Sequence, residues 1–116
     1  MNEVTRDERV ARNELAFRQA NESLRTVFED APGDGAYPFL CECGERRCTE
    51  VVCISLETYA TIRENPRRFL ILTGHKQLDS ERIVDSGEGY EIVEKSGVAG
   101  DIARAGWVQH QPVGSA

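Results

Sequence analysis

Three cysteines fall within eight residues of this chain, Cys41, Cys43 and Cys48, spaced C-x-C-x4-C. Zinc takes four nitrogen or sulfur ligands at the corners of a tetrahedron, with Zn–S distances of about 2.3 Å, so three local thiolates need only one further ligand. A fold that uses them needs a tight turn over Gly44, Glu45, Arg46 and Arg47 and a second segment returning to it. Alternation along an extended strand puts Cys41 and Cys43 on one face, and the turn brings Cys48 back towards them. The competing reading is of small buried residues, as free cysteine often is. Three of four cysteines inside one turn exceed what packing alone requires.

Two residues compete for the fourth position. Cys53 is nearer in sequence, but the five strand residues from Cys48 span roughly 16 Å when extended, which carries its thiol away from the turn unless the strand breaks. His75 is distant, yet it follows Gly74 at the end of the apolar run Phe69, Leu70, Ile71 and Leu72, where a chain leaving a sheet can return over a hairpin tip. His110 lies near the C-terminus and is the weakest of the three. His75 is preferred, which gives a zinc finger-like Cys3His set with Zn2+ as the cofactor.

The thiols act as ligands only if they stay reduced. Glu3, Arg6, Asp7, Glu8 and Arg9 crowd the first ten residues, so no apolar core of a secretory signal is present there. No later run reaches the length of a membrane span, and the expected location is cytoplasmic, with no membrane partner. A net charge of −6 opposes binding to a phosphate backbone. Arg46, Arg47, Arg63, Arg67 and Arg68 gather in the middle of the chain, but Glu42, Glu45, Glu50, Glu57 and Glu64 are interleaved with them. Nucleic-acid binding is therefore kept only as an alternative.

The pattern predicts an α+β fold, with a long N-terminal helix followed by a small zinc-stabilised domain of antiparallel hairpins and one short central helix. Thr5 and Glu8 form a capping box, and no Gly or Pro interrupts the chain from there to Asp30. Val10, Phe17 and Leu24 repeat every seven residues, with Ala20, Val27 and Phe28 beside them, and predict the packed stripe. Ala31 to Gly35 is the linker. Tyr37–Cys43 and Thr49–Ile54 read as one hairpin, Glu81–Asp85 and Tyr90–Glu94 as another, and Arg68–Thr73 as a buried strand. Ser55 caps a helix from Leu56 that Pro66 ends. Val98–Ala105 reads as a short helix stopped by Gly106, and Trp107 to Ala116 as a frayed tail. The organisation is an amphipathic helix over 1–30, a zinc-binding α+β domain over 36–95, and a short helix with a disordered tail over 96–116.

The string F-L-C-E-C-G-x-x-x-C-T-E, Tyr59 with Arg63 and Pro66, R-F-L-x-x-x-G-H from Arg68 to His75, Tyr90, and V-E-K from Val93 to Lys95 together resemble a family of small uncharacterised actinobacterial proteins. The first helix is similar too, in Arg12, Asn13, Glu14, Phe17, Arg18, Asn21 and Glu22. The resemblance runs from about Arg12 to Lys95. It implies that the thiol cluster and the Gly74–His75 pair belong together and leaves Cys53 outside the shared pattern. It implies no activity.

Three thiolates and a histidine fill the coordination sphere of zinc and blunt its Lewis acidity, and no H-E-x-x-H, G-x-S-x-G or phosphate-cradling loop accompanies them. The expectation is a non-enzymatic interaction or regulatory module with a structural zinc. Its partner would be another protein, or a second copy, bound through the N-terminal helix at Asn13, Phe17 and Asn21, with Arg46 and Arg47 contributing. A redox-responsive zinc-thiolate sensor, with Cys53 as a resolving thiol, is the first alternative.

Overall fold

A computed structural model of the chain describes residues 6–30 and 35–109. Among them the elements are helix α1 (Arg6–Asp30), strands β1 (Ala36–Leu40) and β2 (Val51–Ser55), helix α2 (Leu56–Arg63), strands β3 (Arg68–Leu72), β4 (Arg82–Gly87) and β5 (Tyr90–Glu94), and helix α3 (Gly97–Gln109). This is the expected α+β arrangement, a long first helix followed by antiparallel hairpins and a short helix between them.

Strands β1 and β2 pair antiparallel from Ala36 opposite Ser55 to Leu40 opposite Val51. They stop short of the expected Cys43 and Thr49 because the chain between them peels away to form a loop, held at its base by the Cys41 N–H to the Glu50 carbonyl at 3.0 Å. The second sheet has the order β3-β5-β4, antiparallel throughout, so β5 lies between the strands that precede it in sequence. Helix α2 begins where β2 ends, since the Ser55 hydroxyl accepts from the Thr58 N–H at 3.0 Å and caps it.

The core lies between the two sheets and the helices. Phe39 stacks on Tyr59 with ring centroids 4.4 Å apart, Phe28 meets Phe39 edge-on at 5.4 Å, and Phe69, Leu70, Ile71, Ile92 and Val93 complete the interior. Against the expectation, α3 runs through Gly106 to Gln109. One interior glycine costs a helix only about 1 kcal/mol, which the rest of the helix absorbs. The capping residue Thr5, the Ala31–Asp34 stretch of the linker and the tail from His110 lie outside the described residues.

Helix α1 departs from its apolar pattern. Its buried residues are Val10, Ala11, Glu14, Arg18 and Asn21, whereas Phe17 and Leu24 are only half-buried and Val27 is 62% exposed. The packed face is thus rotated towards polar residues at helical spacing, each held by at least one tertiary partner. Arg18 donates to the carbonyls of Pro66 (2.5 Å) and Asn65 (3.0 Å) just beyond α2, and its guanidinium lies over the Phe69 ring at 4.5 Å. Glu22 pairs with Arg63 of α2.

Candidate metal centre

The loop between β1 and β2 and the turn after β3 meet at one edge of the core. Cys41 and Cys43 sit on the same side of the extended segment leaving β1, and the Cys48 N–H closes the following turn on the Glu45 carbonyl at 3.0 Å. Gly74 adopts φ +86°, a left-handed conformation that suits glycine, and its N–H donates to Glu91 Oε1 at 3.0 Å. The His75 N–H then bonds the Leu72 carbonyl at 3.0 Å, which aims the imidazole at the thiols.

The four candidate ligand atoms all lie within 4.8 Å of one another. His75 Nδ1 is 3.6 Å from Cys41 Sγ and 3.7 Å from Cys48 Sγ. Ligand atoms bound to a single tetrahedral zinc would be separated by about 3.6 Å for sulfur and nitrogen, so these edges already fit one ion. Cys41 and Cys43 are buried, and Cys48 and His75 are half-buried on the rim of a hollow of about 330 Å³ that Glu45, Arg47, Glu50 and Gln77 also line.

Each thiol has a backbone N–H beside it. Leu72 donates to Cys41 Sγ at 3.1 Å, while the N–H groups of Glu45 and Glu50 serve Cys43 and Cys48. Such donors stabilise sulfur in its anionic, ligating form and fix its direction. The hydrogen bond from Cys41 holds Cys43 down to about 5, and the same bond raises Cys41. Three thiols among amide donors, with an imidazole alongside, form a soft-donor site for a cation.

No protein-family model, curated protein or solved structure matches the chain. The resemblance to actinobacterial proteins is therefore not established by comparison, and what stands is the Cys3His cluster itself.

The remaining candidates separate from the cluster. Cys53 is exposed on β2, opposite Pro38 in the pairing, and His110 is outside the described residues. Asn13 and Asn21, expected on a partner-facing stripe, turn inward instead. Asn13 Nδ2 donates to the Gly44 carbonyl at 3.1 Å. Asn21, fully buried, accepts from the Leu40 N–H at 2.7 Å and donates to the Leu40 carbonyl at 2.9 Å. These side chains pin the end of β1 and the ligand loop to α1 by satisfying backbone groups of Leu40 and Gly44. Phe17 is half-buried, and Arg46 and Arg47 are exposed in the turn.

One residue of the site had no expected role. Glu42, between the first two thiols, points the opposite way into the core and is fully buried. Its Oε2 accepts from Asn21 Nδ2 and the Tyr59 hydroxyl, both at 2.8 Å, and its Oε1 accepts from the Leu70 N–H at 2.9 Å. The Glu42 N–H donates to the Leu70 carbonyl at 2.7 Å, so this residue ties the ligand loop to β3 from both backbone and side chain. Burial pushes its carboxyl up, opposed by the Arg18 charge and these hydrogen bonds. Gly44 was missed as well. Its φ is +84°, and a Cβ there would stand 2.7 Å from Glu14 Cγ and 2.8 Å from the Val10 carbonyl oxygen, so α1 rests directly on the ligand loop. The available signal was the C-E-C-G string, which places a charged residue and a glycine between thiols where a solvated loop needs neither.

Proposed function

We propose that Cys41, Cys43, Cys48 and His75 hold one zinc ion whose role is structural, in a module that works by presenting a surface to another protein. The observation that supports this is closure. Four soft or borderline donors from two segments converge within 4.8 Å of one another, enough to fill the four positions of one zinc and leave none for a catalytic water. A zinc there would cross-link the β1–β2 loop to the exit of β3, the two segments that Glu42 already joins from the core side.

The partner surface we favour is Phe17 with Arg46 and Arg47. Arg63, Arg67 and Arg68 are engaged by Glu22, Asp101 and Glu94, whereas Arg46 and Arg47 make no ion pair with a described residue. Protein purified without added metal should carry about one zinc per chain by native mass spectrometry, and Cys48→Ser should lose it. Metal-free protein that is folded and has no affinity for zinc would end this reading. Partner capture should fall on Arg46→Glu/Arg47→Glu with zinc content unchanged.

The half-exposure of Cys48 and His75 beside the hollow favours one second reading, a zinc-thiolate sensor of peroxide. Zinc release at peroxide doses that spare the exposed Cys53 would promote it above the purely structural role.

A further inference from the structure

The interior holds a second group of charges that the metal site does not use. Lys95, just after β5, reaches Glu14 of α1 and lies 2.5 Å from Glu81 Oε1, which precedes β4. Both carboxylate side chains and the ammonium are at most 1% exposed. Two carboxylates against one ammonium leave an uncompensated negative charge in a site closed to bulk solvent, which is far costlier than a balanced pair. The oxygen inventory points the same way. Glu14 Oε1 and Glu81 Oε2 are buried and accept no hydrogen bond from a described residue.

We propose that the folded chain retains one proton between Glu14 and Glu81 at neutral pH, so that α1 is latched to the domain by a neutral buried triad with Lys95. A carboxylic acid on one residue donates to the carboxylate of the other, which gives the stranded oxygens a partner and balances the ammonium. Burial, opposed by the pull of Lys95 and helped by the charge of Glu81, raises the Glu14 carboxyl from 4.5 to about 9. Arg18 is spent on the Asn65 and Pro66 carbonyls, Asp101 and Arg104 of α3 are exposed, and the ligand loop meets Glu14 through Gly44 while Glu45, Arg46 and Arg47 point to solvent.

The proton has a measurable consequence. Since the unfolded chain gives it up near the ordinary carboxyl value and the folded chain keeps it, the group's stabilisation is complete below about 4.5 and declines as pH rises towards about 9. Glu14→Gln imitates the protonated acid and removes the titration. With zinc saturating, the folding equilibrium constant of the wild type relative to Glu14→Gln should drop by up to tenfold for each pH unit between about pH 6 and about pH 8. Glu81→Gln should behave the same way if Glu14→Gln folds poorly. Independently of any unfolding, the native protein at neutral pH should show an infrared C=O stretch of a buried carboxylic acid that either variant abolishes. A stability ratio constant with pH, or a carboxylic acid band unchanged in both variants, would overturn the proposal. Zinc content is a separate readout, so failure of the metal reading would not disturb this result.

Discussion

Replacing Asn21 with alanine removes three hydrogen bonds at once from a position with no access to water. The lost partners are the Leu40 N–H, the Leu40 carbonyl and one lone pair of the buried Glu42 carboxyl. A buried polar group left unpaired costs about 1–3 kcal/mol, and more when the acceptor is charged. The alanine also leaves a small gap, and water entering it would recover part of the loss. The expected destabilisation is about 3–5 kcal/mol, a large share of the roughly 5–15 kcal/mol that holds a domain together. Asn13→Ala is the internal control, since it removes one half-buried bond to Gly44 and should cost about 0.5–1.5 kcal/mol. Urea unfolding followed by circular dichroism, at saturating zinc, should show the midpoint moving with the slope unchanged. Loss of less than about 1 kcal/mol in Asn21→Ala, or equal losses in the two variants, would refute the clamp and return Asn21 to the surface role that the sequence suggested.

Other consequences can be checked with the same protein. His75→Ala should strip zinc far more readily than Cys53→Ala, because only His75 faces the thiols, and competition with a chromogenic chelator measures the difference. Gly44→Ala combines a left-handed backbone with a Cβ inside contact distance of Val10 backbone, so thermal unfolding should fall by several degrees or more; an unshifted midpoint would show that α1 does not rest on the loop. Lys95→Met leaves the buried Glu14–Glu81 pair without its cation and should cost about 3–5 kcal/mol at neutral pH, less at acid pH where both carboxyls can be protonated.

The sequence announces the hairpins and α2 because their punctuation is local. Ser55 caps, Pro66 follows the helix end, and the Gly-rich turn between β4 and β5 needs no distant partner. The Cys3His grouping was legible for a related reason, since three ligands share one turn and the fourth stands at a glycine-marked strand end. What could not be read was the buried face of α1. Glu14, Arg18 and Asn21 recur at helical spacing, but hydropathy scores them as solvent-facing, and only partners far along the chain make their burial tolerable. Lys95 lies 81 positions from Glu14, and Glu42 lies 21 from Asn21. The pairs that make the burial tolerable are Glu14 with Lys95, Arg18 with the Pro66 carbonyl, Asn21 and Tyr59 each with Glu42, and Glu22 with Arg63.

The alternation through Cys41, Glu42 and Cys43 makes the tripeptide a two-sided element, thiols outward to the cluster and carboxylate inward to Asn21, Tyr59 and Leu70. Its spacing is therefore under a parity constraint. Inserting or deleting one residue between the cysteines would exchange the two sides, sending a thiol among carboxylate-binding donors and a carboxylate towards the metal. Substitution at Glu42 can be graded, from glutamine upward in severity, but length at this point has no intermediate, so the loop should tolerate insertions over Glu45 to Arg47 and none between Cys41 and Cys43.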